Sequence, residues 1–207
     1  MPVKSDREYR RVDISGIECR EEENRKVVEG YATVFNNEYT LYSYGGYEVR
    51  ESFDPASFNE TDMADVIMQY DHEGRVFARG SNGTLTVKPD EHGLKIRADL
   101  GGTEIGQQLY EEIKGGYTTK MSIGFTVKTQ ERTEERDEET GQTTVHRKIT
   151  GVKKLYDVSA VSLPANDATE ISARNFGEGV IAEIEEERLA VEERKRRIQK
   201  IRIMMEV

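Results

Sequence analysis

Lys120-Met121-Ser122-Ile123-Gly124-Phe125, preceded by the glycine pair Gly115-Gly116 and running on into the alternating Phe125-Thr126-Val127, is the stretch on which the reading of this chain turns. It reads as the opening of a β-strand. A small hydroxyl residue between Met121 and Ile123, two positions ahead of a glycine, can present its Oγ where another backbone comes close. Ser122 is therefore a candidate nucleophile. A serine hydroxyl attacks poorly at neutral pH, so the reading requires a base and a group that orients the base elsewhere in the chain.

Working outward, strand patterns recur on both sides. Residues 12–19 and 27–35 read as strands joined by a polar turn, the second carrying Gly30 where a curved sheet bends. Tyr39, Tyr42, Tyr44 and Tyr47 surround Gly45-Gly46 and either line a groove or pack beneath a loop. Phe53-Asp54-Pro55-Ala56-Ser57-Phe58 has the N-cap aspartate and first-position proline of a helix start. Val66-Ile67-Met68-Gln69-Tyr70 is a short strand of the buried type that delivers Asp71-His72-Glu73-Gly74 at its end. Residues 85–87 and 94–98 alternate strictly around Pro89-Asp90-Glu91-His92-Gly93 and predict a hairpin. Thr103 caps a helix over 104–114 with Ile105, Leu109 and Ile113 as its apolar stripe. The charge-dense run 131–141 predicts a solvated hairpin tip, and strands follow at 145–150 and 152–163, the last ended by Pro164. Many short strands with few helices predict a mainly β barrel or sandwich with flanking helices rather than a parallel α/β sheet.

The ends read differently. Residues 1–11 are mostly charged and predict a loose arm, 12–175 one folded domain, and 176–207 a helical tail. In that tail Ile184, Val191, Ile198 and Met205 recur every seven residues, but Arg188, Lys195 and Arg202 hold the companion seam positions, which makes a poor coiled coil. The tail suits docking on a partner or removal by cleavage.

Composition narrows the function. The chain has 207 residues, enough for one domain with a core, and a formal net charge of −10, which opposes general binding to nucleic-acid phosphates or anionic lipid. Cys19 is the sole cysteine, so no internal disulfide or cysteine metal cluster can form, and it reads as a half-buried strand residue. The charged amino terminus does not read as a secretory signal, and no run approaches the ~18 apolar residues of a membrane span. A reducing cytoplasm is the expected setting.

Three histidines are available as bases. His92 sits in a predicted turn and His146 near the charged tip, both ordinary surface positions. His72 ends an apolar strand with Asp71 and Glu73 beside it, a position that holds an imidazole firmly yet exposed, as a base or simply as a surface residue. The histidines are too widely spaced for a zinc set, and no metal or other cofactor is expected. Asp157, in Tyr156-Asp157-Val158-Ser159-Ala160, places a carboxylate among apolar and small neighbours. Such a carboxylate either has a partner, which a histidine would supply, or faces water from an edge strand.

Taken in order, His72, Lys120-Met121-Ser122-Ile123-Gly124-Phe125 and Leu155-Tyr156-Asp157-Val158-Ser159 with Leu163-Pro164-Ala165 closely resemble the prohead maturation proteases of tailed phages, relatives of the herpesvirus assemblins. The resemblance spans about residues 14–169 and includes Gly30-Tyr31-Ala32-Thr33-Val34-Phe35, the Phe53-to-Phe58 element and the Gly93-Leu94 hairpin. Two positions depart from the family pattern: Asp71 stands where Asn is usual before the histidine, and Asp157 where the phage enzymes commonly carry Glu and the herpesvirus ones His. The resemblance implies a serine endopeptidase on a closed, mostly antiparallel β-barrel, with Ser122, His72 and Asp157 as nucleophile, base and orienting acid. It points to the turn at 162–166 for an oxyanion donor. The implied substrate is a scaffold protein or the scaffolding segment of the major capsid protein, cleaved inside the prohead in the host cytoplasm, with self-cleavage and self-association as a dimer as further expectations. Nucleic acid and membrane are not among the implied partners. The alternatives are a non-catalytic capsid-assembly factor on the same fold, and an esterase, for which the Gly-x-Ser-x-Gly elbow is missing.

Overall fold

The structure, a computed structural model, describes residues 7–13, 17–22, 25–161 and 167–205. In chain order the strands are β1 (Glu8–Asp13), β2 (Glu18–Glu22), β3 (Arg25–Val34), β4 (Tyr39–Tyr44), β5 (Tyr47–Phe53), β6 (Ile67–Tyr70), β7 (Glu73–Arg79), β8 (Leu85–Pro89) and β9 (Gly93–Asp99). Helix α1 (Glu104–Lys114) precedes β10 (Lys120–Arg136) and β11 (Thr143–Val161), and helix α2 (Asp167–Met205) follows. The strands build two sheets. One has the order β2-β3-β9-β8; the other runs β1-β10-β11-β5-β4, with β6 also on β11 and β7 beyond β6.

Alternation along β10 builds the core. Successive side chains of a strand leave on opposite faces, so Met121, Ile123 and Phe125 enter one buried cluster with Val28, Ala32, Ile96 and Ala98 of the four-stranded sheet and Leu155, Val158 and Ala160 of β11. Each of the larger side chains among these, from valine to phenylalanine, contributes about 1.5–3 kcal/mol on burial. Ser122 and Gly124 are thereby directed to the opposite face.

The fold is mainly β with a carboxy-terminal helix, but among the described residues neither sheet closes, so the expected closed barrel is not formed. The reason lies in β11. Its 19 residues use one edge along β10 and divide the other, pairing in parallel with β5 through 143–149 and with β6 through 157–160. The sheet branches there instead of curling back on its first strand.

Three local expectations also change. From Glu8 the loose arm is strand β1, paired antiparallel with β10 from Glu8 opposite Phe125 to Asp13 opposite Lys120; residues 1–6 lie outside the described ones. The predicted helix start at Asp54 is a run of turns, in which Ser57 donates to the Asp54 carbonyl at 2.9 Å. The Ser57 carbonyl accepts from the Val152 N–H at 2.8 Å, which takes the acceptor a helical ladder would need there. The tail helix begins at Asp167, not near Gly177, and Val180 and Ile184 bury themselves against Val49 and Val145. Gly177 permits this contact, because a Cβ there would sit 2.4 Å from the Tyr42 ring. Helix α1 forms as its cap predicts, with Thr103 Oγ1 accepting from the Gly106 N–H at 3.1 Å.

Candidate active site

His72 is placed by a two-residue turn. Tyr70 pairs with Glu73, and the two residues between them, Asp71 and His72, have φ of 48° and 62°. Positive φ at both central positions is the signature of a type I′ hairpin turn, whose twist matches the flanking strands. Asp and His are among the non-glycine residues that adopt that region most often, though neither does so as freely as glycine. The turn is pinned from outside by the Asp71 N–H, which donates to the Ala160 carbonyl at 3.0 Å.

Register places the other two residues. Across β10 and β11, Ser122 stands opposite Ser159 and Gly124 opposite Asp157, so all four share a face. Directly after Gly124 the pairing skips one residue: Phe125 meets Leu155, and Tyr156 bulges out of the ladder. Because β6 runs parallel beside 157–160 of β11, the turn at its end carries the imidazole onto this face.

The three side chains lie in a hydrogen-bonded row. His72 Nδ1 is 2.5 Å from Asp157 Oδ1, and His72 Nε2 is 2.6 Å from Ser122 Oγ. An ionised Asp157 can only accept, so Nδ1 carries the proton and Nε2 is left as an acceptor for the serine hydroxyl. That hydroxyl has a second acceptor, the Arg10 carbonyl of β1, at 3.0 Å. Ser122 is 1% exposed and Asp157 fully buried, so the row is shielded from bulk water. Burial alone would raise the Asp157 carboxyl, but the hydrogen bonds from His72 and Ser159 and the electrostatic attraction of His72 and the Arg7 guanidinium outweigh it and hold the group below the usual aspartate range. The Ser159 hydroxyl donates to Oδ1 at 2.6 Å.

Gly124 is required by this arrangement. A Cβ at that position would lie 2.3 Å from Asp157 Oδ2 and 2.8 Å from an Arg7 guanidinium nitrogen. The glycine opens the space in which the carboxylate and the guanidinium meet.

Sequence reasoning missed three contributors. Arg7 pairs with Asp157 Oδ2, and its guanidinium carbon lies 5.1 Å from the Tyr9 ring centre and 4.6 Å from that of Tyr156. Tyr9 also packs on the His72 ring at 4.4 Å between centroids. Ser159 was readable, being two residues beyond Asp157 on the same strand face. Arg7 and Tyr9 sit in a charged run with no apolar alternation to announce a strand.

Beneath β1, on the opposite face from Ser122, lies a buried ionic cluster. Arg10 and Arg147 both bond to Glu51, which is 0% exposed, while Glu8 takes Arg147 at 2.8 and 3.0 Å and the Tyr39 hydroxyl donates to Glu51 at 2.6 Å. Burial would raise the Glu51 carboxyl, yet the two guanidinium charges hold it below the ordinary glutamate range. The remaining histidines stand apart: His92 is an exposed turn residue against Tyr31, and His146 Nδ1 meets Glu38 at 2.7 Å. Among the described residues no group of three or more His, Cys, Asp or Glu is disposed to hold a metal ion. The turn at 162–166, expected to supply an oxyanion donor, lies outside the described residues.

Comparison with known proteins adds to this geometry. The sequence model of one family, the caudovirus prohead serine proteases, matches residues 15–181. No curated protein matches the chain significantly. Among solved structures, the bacteriophage T4 capsid assembly protease, gp21, superposes with a TM-score of 0.41 at 13% identity, over 77% of this chain and 100% of that one.

Proposed function

This chain belongs to the caudovirus prohead serine protease family, and we propose that it is a maturation endopeptidase whose nucleophile is Ser122, with His72 as general base and acid and Asp157 as the group that orients it. In this reading the serine oxygen attacks the scissile carbonyl carbon while Nε2 takes the hydroxyl proton. The same proton passes to the leaving amine nitrogen as the carbon–nitrogen bond breaks, and water then hydrolyses the acyl-serine by the reverse use of His72. Asp157 keeps the proton on Nδ1 and stabilises the imidazolium that forms. The observation that carries the reading is the row of contacts at 2.5 and 2.6 Å from carboxylate through imidazole to hydroxyl. A peptide reaches the hydroxyl only after displacing whatever shields it.

The substrate is a scaffold protein or the scaffolding segment of the capsid protein, cut inside the assembling prohead in the host cell, and the enzyme also trims its own chain. Family membership supports the capsid setting, and the buried, hydrogen-bonded serine supports the chemistry. Co-expression of this chain with its capsid and scaffold precursors, followed by mass measurement of every chain, tests it. Cleaved products with the wild type and intact precursors with Ser122→Ala are expected. A non-catalytic assembly factor predicts identical masses from both.

A further inference from the structure

We infer that Arg7 is a positioning residue for the His72–Asp157 pair, so that the site is completed by a segment ahead of the residues the family model matches. The inference rests on the catalytic reading above, and goes beyond it in assigning a function to the amino-terminal strand. The matched residues begin at 15, whereas β1 occupies 8–13.

Three contacts carry it. Asp157 has two oxygens, and the row uses only one: Oδ1 accepts from His72 and Ser159, while Oδ2 takes the Arg7 guanidinium. A buried carboxylate held through a single oxygen can swing about its Cβ–Cγ bond; held through both, it cannot, and the imidazole it orients is fixed with it. The guanidinium carbon also lies over two rings, 5.1 Å from the Tyr9 centroid and 4.6 Å from that of Tyr156, the latter brought out of the ladder by the β11 bulge. Tyr9 closes the ring by packing on His72. Gly124 leaves the room in which all this meets.

The strand that presents Arg7 is firmly seated. Arg10 is 1% exposed and bonds to Glu51 on the far face, so β1 cannot lift away without leaving a buried glutamate short of a partner. Arg7 meets the row at Asp157 Oδ2. It acts through Asp157, and by neutralising part of that carboxylate it also tempers how strongly the pair holds a proton. Charged and titratable groups around it include Asp157 and Tyr156 on β11 and Tyr9 on β1, with His72 packed on the Tyr9 ring, Glu73 acting on Tyr9 and Lys154 on the Tyr156 ring.

The test uses the full chain and a fluorophosphonate probe. Labelling forms the Oγ–phosphorus bond, expels fluoride and passes the hydroxyl proton to His72, so its rate against pH reports the acid–base pair without a peptide substrate. Arg7→Met, which keeps the stem between the rings but loses the charge, is expected to label roughly ten- to a hundredfold more slowly at neutral pH. The acid limb of its profile should move to higher pH, because a neighbouring cation has gone. Arg7→Lys restores the charge without the flat fork and should recover the limb but only part of the rate. The proton resonance of the short Nδ1···Oδ1 hydrogen bond, read by NMR on the same proteins, should broaden or move upfield in Arg7→Met. Equal rates, limbs and resonances in a folded Arg7→Met would overturn the assignment while leaving the protease reading intact. Wild-type chain that labels no faster than Ser122→Ala would sink the protease reading, and the assignment with it. Should Arg7→Met not fold, Arg7→Lys decides: a rate and resonance identical to wild type refute positioning by the fork.

Discussion

A backbone φ of 62° at His72 is an expense that the hairpin would avoid with glycine, the residue type I′ turns favour at that position. The imidazole is retained against local preference because it alone can bridge Asp157 Oδ1 and Ser122 Oγ at 2.5 and 2.6 Å. This separates two effects of mutation that are usually entangled. His72→Ala and His72→Gly both remove the ring and both hydrogen bonds, and differ only in whether a Cβ must occupy the left-handed region. The glycine variant is expected to be the more stable of the two by about 1 kcal/mol, measured by urea denaturation of both proteins side by side. Equal midpoints would mean that the turn relaxes when the ring is lost. The same turn accounts for Asp71: Asn and Asp are the non-glycine residues best able to adopt this conformation, so Asp is a sound occupant where the resemblance leads one to expect Asn.

Strand β1 joins two kinds of chemistry through its two faces. Arg7 and Tyr9 serve the site, while Glu8 and Arg10 enter the ionic cluster with Glu51 and Arg147. Replacing Glu51 with Ala leaves two buried guanidinium groups without their shared carboxylate and should lower stability by about 3–5 kcal/mol, read from chemical denaturation. The pH dependence has a definite sign. A carboxyl whose folded value lies below its unfolded one contributes stability above the ordinary glutamate range, and loses it as pH falls through the folded value. Acid unfolding of the wild type should therefore steepen below about pH 4, and Glu51→Gln should flatten that part of the curve. Neither face of β1 was legible in the sequence, because Arg7-Glu8-Tyr9-Arg10-Arg11 is nearly all charged and shows no apolar alternation, and the strand it pairs with, β10, lies more than a hundred residues away. The row of three side chains was readable only through the resemblance carried by the order of His72, Ser122 and Asp157, because the local pattern alone left His72 open as a surface residue and Asp157 as an edge-strand carboxylate. The open architecture was not: that β11 would divide one edge between β5 and β6 depends on pairings between strands, which no local periodicity records.

At the scale of the whole molecule the question is where the enzyme ends, and α2 answers it by the exposure of its apolar residues. Val180 and Ile184 are buried against Val49 and Val145, and Arg132 of β10 reaches Glu183 and Glu187 at 3.2 Å. Beyond that point the support is gone: Leu189 is 63% exposed, Val191 52%, Ile198 47% and Ile201 50%. Among the described residues the helix thus divides near residue 188 into a part that packs on the fold and a part, 189–201, that enters neither buried core cluster. Two shortened chains separate them. One ending at 190 should melt within a degree or two of the full chain and label at the same rate, because the described side chains it loses, at 191–201, are all exposed. One ending at 176 uncovers Val49 and Val145 and should lose about 3–6 kcal/mol, the burial of two aliphatic side chains. If the enzyme trims its own tail, the cut that leaves a working fold falls after 188, and mass measurement of the matured protein locates it. A mature chain ending between 167 and 184 with unchanged stability would show that the apolar contacts of α2 with β5 and β11 contribute nothing to the folded enzyme.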